Sequence, residues 1–150
     1  MPLSCWHDAV VTTTAATVID RFLATITLAG FGDAADLYAP DVHLDATVPG
    51  WRFMTDGPAA VCSTYSHWFN EPGTFEELRR IPLPDGEVVE YTFAWTEAGV
   101  PHAAHHLHVV TVDPAYDRIV EDRVFCGGRW DAALVTRMGV DLRRGDVGRG

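Results

Sequence analysis

The amino-acid sequence predicts an α+β domain in which a curved antiparallel sheet wraps around N-terminal helices and leaves a central pocket. Up to Gly73, apolar residues recur mainly at helical spacing. From Phe75 onward they alternate with polar residues, as they do in strands. Turn signals at Pro84–Gly86, Ala98–Gly99 and Asp113–Pro114 divide this second half into the long strands of an antiparallel meander. Helices followed by such a sheet are typical of α+β domains.

Two helices and one strand are predicted before the meander. The first helix places Val18, Phe22 and Ile26 on one side, as an amphipathic helix requires. The strand alternates until Pro49–Gly50 breaks it. The predicted elements are a helix over Thr12–Ala29, a helical turn ending at Tyr38, a strand over Asp41–Val48 and a helix that starts at Pro58.

Four strands and a short closing helix are predicted in the second half. The strands run over Phe75–Leu83, Glu87–Glu97, His102–Val112 and Arg118–Phe125, and the helix over Asp131–Met138. The Gly/Arg-rich tail, residues 142–150, is expected to be flexible. Residues 1–150 therefore form one domain with its core over about residues 12–139.

Composition favours a small molecule as the partner. The chain has 150 residues, a formal net charge of −10, and eleven arginines with no lysine, so it lacks the basic excess that nucleic acid or an anionic membrane surface would need. Its three cysteines, Cys5, Cys62 and Cys126, are widely spaced and suggest neither disulfides nor a zinc site. No targeting or membrane-spanning segment is evident, so a cytoplasmic location is expected.

Three segments of the sequence occupy the positions at which a known family has similar segments. "DLYAPDV" follows the first helix, "RIVEDRVF" forms the last strand, and "DAALVTRMG" the closing helix. Over about residues 15–139 the chain resembles the SnoaL-like branch of the nuclear-transport-factor-2-like (NTF2-like) superfamily. The resemblance implies a cone whose pocket lies between the helices and the concave sheet face. Members include polyketide cyclases, ketosteroid isomerases, dehydratases, epoxide hydrolases and non-catalytic binding proteins.

Four of the seven histidines lie in the strand "HAAHHLHVVTVD", which begins at His102. Alternation, aligned to the family, turns His106 and His108 inward and His105 outward. The resemblance also turns Val120, Asp122, Val124 and Cys126 of the last strand inward.

The resemblance implies that Asp122 and His108 are catalytic. A last-strand Asp and a His fourteen residues before it perform acid/base chemistry in the polyketide cyclases that this chain resembles, and His108 and Asp122 have that spacing. Asp122 would transfer a proton at a carbon α to a carbonyl, and His108 would donate a hydrogen bond to the oxygen. His106 would add a second donor.

Structural interpretations of these residues stay open. Asp122 could pair with Arg118 or Arg123 on a solvated strand, and His108 could be an ordinary core histidine. Histidines two apart on one strand could share a metal ion, completed by Asp122, although no clear ligand motif supports one. No cofactor is expected, because the sequence has no phosphate loop and no dinucleotide fingerprint.

Aromatic residues are numerous enough to line a pocket as well as to fill a core. They favour a hydrophobic, aromatic or polycyclic ligand with few polar groups. The residues predicted to bind it, together with His106, are Phe22, Trp51, Phe53, Tyr65, Trp68, Tyr91 and Trp95.

The predicted function is a cofactor-independent, polyketide cyclase-like ring closure in natural-product biosynthesis. Ketosteroid isomerase proper is rejected because Phe22, Ala46 and His108 stand where its tyrosine and two aspartates would be, and Asp45 would reach the base position only by a register slip. The alternatives are a dehydratase or isomerase of the same fold, and a non-catalytic binding protein. A homodimer is predicted from an outward stripe of Leu107, Val109 and Thr111.

Overall fold

The computed structural model describes residues 17–144, with side chains through residue 139. The predicted α+β architecture is confirmed. The helices are α1 (Val18–Leu28), α2 (Pro58–Trp68) and α3 (Ala132–Arg144), with two 3-10 turns at Phe31–Asp33 and Ala35–Leu37. The strands are β1 (Tyr38–Val48), β2 (Trp51–Asp56), β3 (Gly73–Leu83), β4 (Gly86–Glu97), β5 (Val100–Asp113) and β6 (Arg118–Asp131).

The six strands form one mixed sheet in the order β2-β1-β6-β5-β4-β3. All neighbours are antiparallel except β1 and β6, which are parallel. These two strands are joined by nearly the whole domain, so no tight hairpin forces them to run in opposite directions. The sheet was predicted to be antiparallel. This is correct for the meander and for the β1–β2 hairpin but not for the β1–β6 pair.

Strand β2 was not predicted from the sequence. Trp51–Asp56 pairs with β1 through a tight turn at Pro49–Gly50, where Gly50 has φ +73°. Proline and glycine were interpreted as the end of the strand, but they form the turn of a hairpin. The result is an edge strand that contacts α2.

Two bulges shape β6. Gly127 and Gly128 lie between the pairs His106–Cys126 and Ala104–Arg129, which gives β6 one residue more than β5 at this point. The strand thus continues through Asp131, beyond its predicted end at Phe125. Positive φ at Gly128 (+103°) is the backbone conformation that makes glycine suitable here.

The second bulge corrects one predicted side-chain direction. Ile119 pairs with Val112 and Glu121 with Thr111, so Val120 has no partner across the ladder. Ile119 is fully buried in place of Val120, which was expected to face inward. After the bulge the predicted pattern is restored, and Asp122 is fully buried.

Helix α1 is fixed at its start by a capping box. Thr17 accepts a hydrogen bond from the backbone N–H of Asp20, and the Asp20 carboxylate accepts one from the N–H of Thr17. The Asp20 carboxylate also accepts a hydrogen bond from Arg80 of β3 at 2.6 Å, which ties the helix to the sheet. The predicted start at Thr12 lies outside the described residues.

The core lies between the concave face of the sheet and helices α1 and α2. Helix α3 extends through Arg144, so the part of the predicted flexible tail before residue 145 is helical, and the rest lies outside the described residues. Within residues 17–144, no helix combines the length and apolar character needed to cross a membrane. The largest fully buried side chains are Tyr38, Tyr65, Tyr91, Phe22, Phe31 and Phe93.

We predict that Gly86→Ala destabilises the domain, because a Cβ at Gly86 would lie 1.8 Å from the carbonyl oxygen of Val110 in the paired strand. The free energy of unfolding in urea should fall by about 2–3 kcal/mol. Gly32→Ala is the matched control, since nothing lies within 4 Å of its added Cβ. A change of about 0.5 kcal/mol or less is expected there. Equal effects of the two substitutions would contradict the close approach.

Candidate active site

A cavity of about 480 Å³ opens between the end of α2 and the concave sheet face. Its buried end is formed by Phe69, Phe93, Ala104 and His106. The aromatic walls are Trp68 and Trp95, and its solvent-exposed rim includes Pro49, His67 and Arg129. Apart from His106, the inside of the cavity is therefore apolar and aromatic, and His67 and Arg129 lie toward solvent, which suits a small aromatic ligand.

Two chemically reactive side chains meet at the cavity surface. His106 of β5 and Cys126 of β6 are cross-strand neighbours, and their Nε2 and Sγ atoms lie 3.2 Å apart. The backbone N–H of Gly128 also donates to this sulfur at 3.3 Å. The Gly127–Gly128 bulge thus holds the thiol between an imidazole and a backbone donor.

Behind His106 a hydrogen-bonded chain leads away from the cavity into the core. The Tyr91 hydroxyl of β4 lies 3.0 Å from Nδ1 of His106 and 2.9 Å from Nε2 of His108. On its other side, Nδ1 of His108 lies 3.0 Å from Oδ1 of Asp122. We call His106, Tyr91, His108 and Asp122, in this order, the hydrogen-bonded chain.

Asp122 ends the chain in a fully buried environment. Its second oxygen accepts a hydrogen bond from the Tyr65 hydroxyl of α2 at 2.5 Å. Phe22 packs edge-on against His108 with ring centroids 5.2 Å apart, and Tyr65 lies on another side. Asp122 and His108 both have 0% exposure. The carboxylate is therefore reachable from the cavity only through its hydrogen-bond partners.

The orientation of the hydrogen bonds follows from their donors. Burial, followed by the charge of Asp122, raises the pKa of Tyr65 and Tyr91 well above that of an ordinary phenol, so each keeps its proton. With Asp122 as acceptor, His108 donates from Nδ1 and accepts from Tyr91 at Nε2. Tyr91 in turn accepts from Nδ1 of neutral His106, whose Nε2 is then the acceptor facing the Cys126 thiol.

Asp122 and His108 meet as predicted from the sequence, but they do not line the cavity. The expected pair is on one face of the sheet and in direct contact. The open space stops at His106, since Phe22, Tyr65 and Tyr91 fill the interior around the pair. Neither the solvated ion pair with arginine nor direct contact with a bound ligand describes Asp122.

The other predicted binding residues divide into four groups. His106, Trp68 and Trp95 line the cavity. Phe22, Tyr65 and Tyr91 are fully buried around the hydrogen-bonded chain, and Phe53 packs against Trp68 with ring centroids 6.2 Å apart. Trp51 is 68% exposed, because it begins the edge strand β2, and it does not contribute to the cavity.

Among the cavity-lining residues that sequence reasoning did not single out as site residues are Cys126, Gly128 and Arg129. Cys126 was expected to face inward, but no role was given to it. Arg129 and Gly128 were placed beyond the end of the last strand. Arg129 lies over the Trp95 ring at 5.5 Å and pairs with Glu97. Recognising the "CGGR" segment as a glycine bulge would have extended the strand to include them.

The outward histidine has a separate set of contacts. Nε2 of His105 lies 3.0 Å from Glu90, and its Nδ1 lies 2.8 Å from the Thr92 hydroxyl. Its hydrogen bond lowers the pKa of the Glu90 carboxyl. In the described part of the chain, no three His, Cys, Asp or Glu side chains are arranged to hold a metal ion. All four ring nitrogens of His106 and His108 have protein partners.

Burial lowers the pKa of His106 from 6.5 to about 3, and the neighbouring His108 and His105 contribute to the shift. An unfolded chain therefore binds a proton at this residue between about pH 6.5 and pH 3, while the folded protein does not. The free energy of unfolding must fall as the pH is lowered through this window.

We predict that wild-type protein loses about 2 kcal/mol more stability between pH 7 and pH 5 than His106→Gln, which has no group to protonate. Urea unfolding followed by tryptophan fluorescence measures the difference. His67→Gln, on the exposed rim, is the control and should keep the wild-type pH dependence. The same pH dependence in wild type and His106→Gln would show that His106 is not held neutral.

No protein-family model matches the sequence. No curated protein matches it either. The fold does match solved structures: a proposed isomerase from Bacillus subtilis is 15% identical with a TM-score of 0.60, covering 73% of this chain and 84% of that one. An NTF2-like protein of unknown function from Mesorhizobium loti is 18% identical with a TM-score of 0.59, covering 78% and 98%.

A third similar structure is SalBIII, an epoxide hydrolase/cyclase-like enzyme with a role in pyran ring formation in the polyether salinomycin. It is 14% identical, with a TM-score of 0.60, and the match covers 76% of this chain and 92% of that one. At these identities the comparisons concern the fold, which hosts many chemistries. The chain has the NTF2-like fold, as the resemblance in its sequence implied.

Proposed function

We propose that the protein is a cofactor-independent acid/base enzyme that removes a proton α to a carbonyl in an aromatic or polycyclic small molecule. The observation that carries the proposal is the hydrogen-bonded chain, which connects a cavity-facing imidazole to a fully buried carboxylate. A stable core does not require such a hydrogen-bonded chain, because burying a polar group costs free energy unless the group is satisfied by hydrogen bonds. Similar folds in a cyclase-like enzyme and a proposed isomerase support the same class.

The hydrogen-bonded chain explains how His106 can act as a base despite its lowered pKa. A ligand proton arrives at Nε2 of His106 when the ligand displaces the Cys126 thiol from this nitrogen. The Nδ1 proton of His106 then moves to Tyr91, and the Tyr91 proton moves to Nε2 of His108. The positive charge ends on His108, next to the Asp122 carboxylate, instead of on His106 in its apolar surroundings.

Aldol-type ring closure is the reaction that this arrangement suits best. Removing the α proton creates an enolate, whose carbon attacks a second carbonyl of the same molecule. The proton held at His108 and Asp122 returns by the same route to the new alkoxide oxygen. One proton-exchange point therefore completes the reaction, and the aromatic walls hold the ligand in a folded conformation. Natural-product intermediates with several carbonyl groups have this chemistry.

We predict that Asp122→Asn lowers the rate of α-proton exchange by roughly two to four orders of magnitude, the usual contribution of a positioned general base. The probe is benzylacetone, an aromatic ketone, and the measurement is deuterium uptake from heavy water by NMR. The affinity of the variant for benzylacetone should differ from that of wild type by only a few fold. Tryptophan fluorescence measures it, because Trp68 and Trp95 line the cavity. A non-catalytic binding protein would bind the probe and show no exchange above buffer in any variant.

Two tyrosine substitutions provide the matched comparison. Tyr91→Phe removes a hydroxyl from within the hydrogen-bonded chain, whereas Tyr38→Phe removes one that has no hydrogen-bond partner among the described residues. Both residues are fully buried, so the substitutions are sterically alike. Tyr91→Phe should slow exchange about a hundredfold or more. Tyr38→Phe should change it by about twofold at most, because no hydrogen bond is lost. Equal rates in the two variants would show that protons do not pass through Tyr91.

We also propose that the protein is a homodimer through the convex sheet face. Phe125 of β6 and Ile81 of β3 are both 45% exposed there, and the half-buried Leu107 and Val109 lie on β5, one of the two strands between them. Ion pairs such as Arg79–Glu90 give the same face charges of both signs. A two-fold related copy can match such a surface with itself.

Light scattering at micromolar concentration should therefore give twice the chain mass. Phe125→Asp should shift the protein to monomer, because it places a charge in the apolar stripe. Tyr116→Asp is the control, since Tyr116 is exposed in the β5–β6 turn, away from the stripe. A monomeric wild type would exclude this interface.

A further inference from the structure

The Cys126 thiol contacts the cavity end of the hydrogen-bonded chain at His106. The proposed proton transfer does not use this thiol. It lines the cavity, and two groups converge on its sulfur, Nε2 of His106 and the N–H of Gly128. The described cysteine Cys62, in contrast, is buried in the core away from the cavity. Cys126 is therefore a thiol with a base on one side, an N–H donor on the other, and space for a ligand in front.

We propose that Cys126 is a nucleophile that adds reversibly to α,β-unsaturated carbonyl compounds bound in the cavity. The proposal uses the hydrogen-bonded chain of the proposed function, and it assigns a substrate class, conjugated aromatic ketones, to the same cavity. The main support is the contact of Sγ of Cys126 with Nε2 of His106, because His106 connects this thiol to the buried carboxylate.

The addition balances without a cofactor or redox partner. The thiol proton moves to Nε2 of His106, and the positive charge moves along the chain to His108 beside Asp122. The sulfur forms a bond to the β-carbon of the ligand, the carbon–carbon π bond breaks, and its electrons move to the carbonyl oxygen as an enolate. His106 then returns the proton to the α-carbon. The product is a thioether, and the reverse steps release the ligand.

The resting state of the thiol fits this role. Burial raises the pKa of Cys126, and the Gly128 N–H offsets part of the effect. The thiol is therefore protonated at rest and protected from unselective alkylation. A thiolate formed from such a thiol is more nucleophilic than one of low pKa. Reaction then depends on a base that removes the proton only when a ligand is in place, which is what the hydrogen-bonded chain provides.

The test uses the full chain with Cys5→Ser and Cys62→Ala, so that Cys126 is the remaining cysteine. The probe is benzylideneacetone, which differs from benzylacetone only by its conjugated double bond. Intact-mass spectrometry should show one adduct per chain, peptide mapping should place it on Cys126, and dilution should reverse it. Its second-order rate constant at pH 7 should exceed that of N-acetylcysteine by about tenfold or more. The further substitution Cys126→Ser should abolish the adduct.

The tyrosine variants separate an activated thiol from one that is merely accessible. Tyr91→Phe should slow the addition about tenfold or more, while Tyr38→Phe should stay within a few fold of the parent. An adduct rate that Tyr91→Phe leaves unchanged, a rate no faster than that of N-acetylcysteine, or the absence of an adduct would each overturn the proposal. Thermal unfolding of each variant verifies that it is folded.

The two probes also distinguish failure of this proposal from failure of the proposed function. Exchange of benzylacetone without an adduct of benzylideneacetone would remove the nucleophile and leave the acid/base enzyme. An adduct that depends on Tyr91, without exchange of benzylacetone, would remove the proposed function and leave the covalent site.

Discussion

The contact between Asp122 and His108 is the interaction on which the rest of the interior depends. Both side chains have no exposed surface, so their charges or polar atoms must be satisfied entirely by the protein. Removing a carboxylate from water costs several kcal/mol even after the surroundings relax. The hydroxyl of Tyr65 on α2 and that of Tyr91 on β4 supply the missing hydrogen bonds. One buried carboxylate thus fixes how α2 and three neighbouring strands must be placed relative to each other.

Stability alone does not account for this arrangement. Replacing a buried ionic pair with apolar residues of similar volume is often neutral or stabilising. The interior of this protein already contains a close aromatic core around Phe22, Phe31 and Tyr65 that could fill the space. Among the buried described side chains, the Tyr38 hydroxyl has no hydrogen-bond partner, whereas every polar atom along the hydrogen-bonded chain has one. Three of the four buried charged or histidine side chains that the structure describes, His106, His108 and Asp122, therefore lie on one path to the cavity and have hydrogen-bond partners.

Strand periodicity was enough to predict most of the fold and the meeting of Asp122 with His108. Side-chain direction alternates with a fixed period, so one known inward residue determines its neighbours for as long as the ladder is regular. The prediction failed where the ladder is irregular: Val120 occupies one bulge and Gly127–Gly128 another. A bulge depends on pairing with the partner strand, so the alternation of residues within one strand does not reveal it. Arg129 reaches the cavity beyond the Gly127–Gly128 bulge and was therefore not predicted, whereas Cys126 precedes this bulge and was predicted to face inward.

Alternation could not predict how far an inward side chain lies from the cavity either, and this distance changes the interpretation of the site. Alternation determines the face on which a side chain lies, but the packing of α1 and α2 determines whether open space reaches it. Here Phe22 and Tyr65 close the interior around His108, so the cavity ends at His106. A ligand therefore meets aromatic walls, one imidazole and one thiol, while the carboxylate stays dry behind them. Because water does not compete for the carboxylate, its attraction for a positive charge on His108 is stronger than it would be at the surface. The separation of ligand binding at the cavity from charge storage in the core is thus a direct consequence of how the helices pack on the sheet.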